Sequence, residues 1–320
     1  MKKKIITAAN IIISIFLVAL LLYLVGIEDV LEQIANINLF YLFLSLLFLF
    51  FMDLAMSYRI KGLLEDMKEK LGFMDILKSH FIGMLAADFT PARAGYFATA
   101  AAMKIKYGIP SEKAMLSIFG PQMFDFAVKM VAGTIAIFYI AFYLVGTDDG
   151  WMLYIGSIVM VAIITAMILI LFSRRFVLMF SFLEKIPFVS KIYSMTLRMQ
   201  DNSKTVIRKA PFILKTIAFS WTFKALSWYF AAKAVGINLG LGYYEVIFYF
   251  FLQPLITMVE FIPSATIAGL GLSEGASVLV FSLFGIEPAT AILFALLVRF
   301  KTTFVHLPAV PEALKIYSAR

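Results

Sequence analysis

Thr90-Pro91-Ala92-Arg93-Ala94-Gly95 and Pro263-Ser264-Ala265-Thr266-Ile267-Ala268-Gly269-Leu270-Gly271 interrupt two otherwise apolar stretches, at 73–107 and 243–284. Each break falls roughly two-thirds of the way along its half of the chain, the pattern expected of a membrane protein built from two related repeats. In lipid, a broken helix persists only where its freed backbone groups face protein or a water-filled cavity, so paired breaks mark a candidate substrate site. A simple kink repaired by a neighbouring helix is the competing reading of either break, and residues 243–262 are long enough to span alone. The arms at 73–89 and 96–107 are too short to cross fully, which favours a re-entrant hairpin there.

Composition agrees with a membrane setting. The chain is 62% hydrophobic and only 15% charged, with a mean hydropathy of +0.93. Apolar runs of about 20 residues recur along its length, enough to cross a hydrocarbon layer of roughly 30 Å. Cysteine is absent, which excludes disulfides and thiolate metal sites. The two histidines, His80 and His306, are far apart in sequence without metal-ligand spacing, so neither a metal nor a cofactor is expected. Lys2, Lys3 and Lys4 precede an apolar run to Gly26 that is too long for a signal peptide and has no small-residue cleavage site after it, so it reads as an uncleaved first span.

The predicted fold is an all-α polytopic integral membrane protein with about six full spans and two broken or re-entrant hairpins. The spans fall at 5–26, 38–57, 114–145, 151–172, 211–235 and 286–310. Lys and Arg gather at Lys2–Lys4, Arg59–Lys70, Lys104–Lys113, Arg174–Lys209 and Lys315–Arg320. The opposite loops carry Glu28, Asp29, Glu32, Asp148, Asp149, Glu245 and Glu287 without one Lys or Arg. The positive-inside rule then places both termini in the cytoplasm of a cell-membrane protein. It also has the first hairpin entered from the cytoplasm and the second from outside, so residues 1–146 and 147–320 form an inverted repeat. The polar segment 173–210 interleaves Arg174, Arg175, Lys185, Lys191 and Arg198 with Phe176, Phe180, Phe182 and Tyr193. That mix suits helices lying on an anionic leaflet, and equally a solvated basic linker. The net charge of +8 resides in these flanks rather than on a soluble domain, so nucleic acid is not an expected partner.

Ionisable residues within apolar segments carry the most chemical information, because each costs about 2.5–3.5 kcal/mol near the bilayer centre and normally finds a partner. Asp125 and Lys129 stand four apart on one helix, a spacing that lets them pair either as an internal strut or as part of a site. Lys224 lies between Trp221 and Trp228, where aromatic faces can hold its ammonium. Asp75, Lys78, Lys215, Lys233 and Lys301 are expected to reach an interface along their own stems. Arg93 is the foremost candidate. It lies in the first break ahead of a half-helix predicted to begin near Gly95, whose free N–H groups would join the guanidinium in holding a phosphate. The alternative is that Arg93 pairs with Asp88 or Glu260 and locks the fold. Gly269 and Gly271 read as positions of close approach or positive φ, and Glu274 as an acid near the start of the second half-helix that caps it.

The run from Arg59 through Pro91-x-Arg93-x-Gly95, then Gly269-Leu270-Gly271-x-x-Glu274 and later Arg299, resembles the membrane domain of the lysylphosphatidylglycerol synthase/flippase family. The resemblance covers nearly the whole sequence and implies a flippase-like membrane domain, here expected without the soluble aminoacyl-transferase domain that some members carry. The expected partners are membrane lipids, an anionic phospholipid or a polyprenyl-phosphate-linked substrate, and the expected binding residues are Pro91, Arg93, Gly95, Asp125, Lys129, Lys224, Gly269, Gly271, Glu274 and Arg299. Two departures stand out, Tyr96 where members often have an acid and Pro263-Ser264-Ala265 where they often have a glycine-rich pattern. A lysylated lipid is therefore not implied.

Three function classes follow from these features. Paired breaks and buried charge favour a lipid translocase. An intramembrane enzyme on a lipid head group is the alternative, although no His-Glu-x-x-His, Gly-x-Ser-x-Gly or nucleotide-binding loop is present. A membrane scaffold is the third, for which buried charges would be a cost without a purpose.

Overall fold

A computed structural model describes residues 15–139 apart from 18, then 173–185, 203–261 and 270–318, with Thr266 and scattered positions between 162 and 200. Among the described residues all regular structure is helical. Helix α1, Ile27–Ala35, opens with Glu28 and Asp29 in its first turn, where carboxylates complement the positive helix end. Asn38 then starts α2, Leu39–Asp66, its Oδ1 accepting the N–H groups of Phe40 and Tyr41. Helix α3, Phe73–Asp88, ends before the first break, and a 3-10 turn over Pro91–Tyr96 runs into α4, Phe97–Tyr107. Next come α5, Ser111–Tyr139, the short α6, Arg174–Leu178, and α7, Ser203–Arg208. The remainder is α8, Ala210–Ala234; α9, Glu245–Phe261; α10, Leu272–Ser282; α11, Pro288–His306; and α12, Val310–Ser318.

Among the described residues two helical stretches, 39–66 and 288–316, are long and apolar enough to cross a membrane by length and composition. The expected spans at 38–57, 114–145, 211–235 and 286–310 coincide with α2, α5, α8 and α11, with α2 running on to Asp66. The stretch 73–107 divides into α3 and α4, and 243–284 into α9 and α10. Most of the spans at 5–26 and 151–172 lies outside the described residues.

The chain forms two compact units, each drawing on both halves of the sequence. One comprises residues 1–53, 80–99 and 220–320, the other 54–79 and 100–219. The core of the first is aromatic: Trp228 meets the Phe294 ring edge-on at 5.6 Å, and Phe281 meets it at 5.1 Å. Ala231, Ala232 and Ala234 leave α8 narrow enough for close approach, the packing that joins helices where lipid offers no hydrophobic gradient. A polar knot lies inside the same unit. Ser45 and Ser227 hydroxyls each donate to the other's backbone carbonyl at 2.7 Å, and Lys301 Nζ donates to both hydroxyls at 2.6 Å and to Ser227 O at 2.7 Å. Lys301 therefore does not reach an interface as its sequence position suggested. Its ammonium is fully buried because α2 and α8 present three oxygens to α11 at that level. Lys233 likewise meets Glu245 at 2.7 Å.

In the second unit, Leu63, Leu64, Met103, Leu116, Ile118, Val206 and Ile213 are fully buried. Lys113 closes the end of α2, donating to Glu69 Oε1 at 2.6 Å and Met67 O at 3.0 Å. Arg208 pairs with Asp66, so the basic segment is anchored at this end, and it buries Val177, Tyr193 and Val206.

Candidate functional site

The first break is shaped by its sequence. Thr90 precedes a proline and is extended, φ −127° and ψ 143°, which stops α3. Its hydroxyl donates to Ala86 O at 3.0 Å and accepts the Gly95 N–H at 2.6 Å, tying the turn to the end of α3. A side chain at Gly95 would collide with the backbone of Ala86 and Ala87, so only glycine allows this closeness. Arg93 has φ +54°, a left-handed conformation that costs a non-glycine residue about 1–2 kcal/mol. Such strain at one arginine points to a side chain whose aim matters.

The half-helix expected near Gly95 begins at Phe97, after a 3-10 turn. The 3-10 turn already begins at Pro91, the Arg93 N–H bonds Thr90 O at 3.2 Å, and the Gly95 N–H is taken by Thr90. Local hydrogen bonding consumes those donors, which leaves the guanidinium as the anion-seeking group of this turn. That guanidinium donates from Nη2 to Asp88 Oδ1 at 2.9 Å, so Asp88 is its acidic partner among the described side chains.

The second break re-enters helix at Gly271, φ +87°, whose N–H donates to Glu274 Oε2 at 2.7 Å. Glu274 thus caps α10, and it does more. Its Oε1 accepts from Arg299 Nε at 2.8 Å, while Arg299 Nη2 donates to Ser273 Oγ at 2.9 Å. Gly269 lies outside the described residues.

One cavity of about 30 Å³ inside the first unit is lined by Asp88 at the end of α3, Arg93 of the first break, Ser273, Glu274 and Ser277 of α10 just past the second break, and Arg299, Phe294 and Thr302 of α11. Trp228 of α8 closes one wall. A void of this size holds about two waters. Among the described residues two guanidiniums are opposed by two carboxylates in the cavity lining, each Arg bonded to one acid.

The other predicted residues are placed elsewhere. Asp125 and Lys129 meet at 2.7 Å in the second unit. Lys224 sits on α8 one turn before Ser227 and outside the cavity lining, and the Trp228 ring is turned onto Phe294. The two histidines that sequence reasoning set aside lie in the same unit as Arg93. His80 Nε2 and His306 Nε2 both bond Asp53, at 3.1 and 3.2 Å, so the two histidines are partners rather than unrelated positions. Only the presence of three ionisable residues in apolar runs pointed that way. Among the described residues no set of His, Cys, Asp and Glu side chains is arranged to hold a metal ion.

The family model described as the lysylphosphatidylglycerol synthase TM region matches residues 8–309. The chain belongs to that family. Membership of the lysylphosphatidylglycerol synthase TM family agrees with the all-helical architecture and makes this an integral membrane protein with transmembrane helices. No curated protein matches the chain closely.

Proposed function

We propose that this member of the family is a lipid translocase of the cell membrane, moving a phospholipid or lipid-linked anionic head group between leaflets. The observation that carries the reading is the convergence of Arg93 from one helix break and the Ser273–Glu274–Arg299 set at the other on a single cavity. Arg93 and Arg299 bind the phosphate, since a guanidinium offers paired N–H donors to two oxygens where an ammonium offers a point charge. Asp88 and Glu274 hold the arginines in the empty state and release them to the incoming anion. An open apolar groove of about 680 Å³ in the same unit, walled by Phe43, Leu46, Phe50, Phe81 and Phe304, suits an acyl chain that stays in hydrocarbon while the head group crosses. The two halves act as an inverted repeat with both termini cytoplasmic, which opens the cavity to each leaflet in turn.

The test is reconstitution of the purified protein into liposomes with fluorescent anionic, zwitterionic and polyprenyl-phosphate lipids. Movement of the head group without covalent change is the expected result, lost in Arg93→Ala and Arg299→Ala. A new lipid product would make the protein an enzyme, and neither movement nor product across the panel would overturn the translocase reading.

A further inference from the structure

Behind Arg93 lies a buried series of hydrogen-bonding groups that phosphate binding does not use. Tyr96 Oη and His80 Nδ1 are 3.1 Å apart, His80 Nε2 and Asp53 Oδ1 3.1 Å, and Asp53 Oδ2 and His306 Nε2 3.2 Å. The side chains of Asp53, His80 and His306 are fully buried. The last ring nitrogen, His306 Nδ1, has no hydrogen-bond partner and lies 3.8 Å from Asp88 Oδ2, the carboxylate whose other oxygen holds Arg93. The series therefore ends at the acid that governs the arginine.

Hydrogen placement follows from the acceptors. With both rings neutral, an ionised Asp53 accepts one N–H from each, which puts the proton of both imidazoles on Nε2. Tyr96 then donates to His80 Nδ1, and His306 Nδ1 is left with a bare lone pair facing Asp88. Among the described residues the remaining neighbours do not supply the missing proton. Phe81 presents its ring to His306 at 5.1 Å, Thr303 Oγ1 is 3.4 Å from Asp88 Oδ2, and the charged pair across the cavity, Glu274–Arg299, is balanced within itself.

We infer that His306 is a proton site coupled to the anion site, so that a phosphate-bearing lipid binds together with one proton. The inference rests on the phosphate reading of Arg93. When Arg93 turns from Asp88 to a phosphate, Asp88 loses its guanidinium inside the membrane and keeps the long Thr303 hydrogen bond at 3.4 Å, which leaves its charge poorly compensated. A proton from cavity water adds to the His306 Nδ1 lone pair, and the resulting imidazolium donates to Asp88 Oδ2 in place of the guanidinium. On release of the anion, Arg93 returns to Asp88 and the same proton leaves Nδ1 for water. One negative charge and one proton enter and leave together, so a monoanionic head group crosses without net charge movement, and a pH gradient biases its direction.

The chain has two histidines, so labelling histidine with 13C and 15N yields two imidazole spectra, assigned with His306→Gln. Arg93→Gln strips Asp88 of its guanidinium as a bound phosphate does, without any lipid. At neutral pH the His306 ring is expected to carry a proton on both nitrogens in Arg93→Gln and on Nε2 alone in the unaltered protein; identical ring states in the two would overturn the coupling. In parallel, dihexanoyl-phosphatidylglycerol added to weakly buffered detergent-solubilised protein is expected to draw up about one proton per lipid bound, read with an indicator dye. Affinity should fall about tenfold per pH unit where the unbound ring is neutral, and His306→Gln should abolish the uptake. Binding without proton uptake, or uptake that survives His306→Gln, overturns the proton site while leaving the anion site standing. Absence of binding by any anionic lipid would overturn the phosphate reading instead, and the ring spectra of Arg93→Gln would still decide the coupling.

Discussion

Asp88→Asn tests whether the acid restrains Arg93 from its ligand, because it predicts a gain rather than a loss. In the resting site the Arg93–Asp88 bond is charge-assisted, 2.9 Å long and largely enclosed. A bond of that class contributes about 1.5–3 kcal/mol. Asparagine keeps the shape and still offers an amide oxygen to Nη2, but it carries no charge, and about half of that contribution goes with the charge. About 0.75–1.5 kcal/mol of restraint is therefore removed, and an anion competing for the same guanidinium gains that amount. Affinity for dihexanoyl-phosphatidylglycerol should rise about four- to twelvefold. The measurement is titration calorimetry in detergent on Asp88→Asn and the unaltered protein, with folded yield from size exclusion as a control. Because no carboxylate then needs a replacement partner, the tighter binding should also proceed without proton uptake. Unchanged or weaker affinity in a well-folded Asp88→Asn protein would refute the competition, and would make the Arg93–Asp88 pair a fold-locking contact.

Asp125→Ala and Lys129→Ala should each destabilise, whereas the double substitution should lose less than their sum by about 0.5–3 kcal/mol, since it strands no lone charge; thermal melts that add strictly would show no coupling. Lys301→Met should hold stability within about 1.5 kcal/mol, because Ser45 and Ser227 remain bonded to each other, while Lys301→Ala should cost about 2–5 kcal/mol through the void it leaves; equal losses in the two would argue that the ammonium itself matters. Single cysteines placed at 92 and 265 in this cysteine-free chain should react with an impermeant reagent from opposite faces, and labelling of both from the same face would remove the inverted arrangement.

Much was legible before any coordinates. Membrane character follows from composition, because a chain this apolar with recurring runs of about 20 residues has few other stable settings. The breaks at 90–95 and 263–271 are visible because proline and glycine act on the backbone of their own segment. Asp125 and Lys129 are legible as a pair for the same local reason, one helical turn apart on one face.

What required the tertiary structure is every partnership between segments distant along the chain. Nothing in a single sequence indicates that His80 and His306 share Asp53, 27 and 253 residues away, because helix periodicity says which face of each helix is buried and not which faces meet. The burial of Lys301 among serine oxygens and the joining of Arg299 to Glu274 depend likewise on how deeply helices are set beside one another. Depth is set by close packing of the small and aromatic side chains between helices, a property of the assembled unit rather than of any one segment.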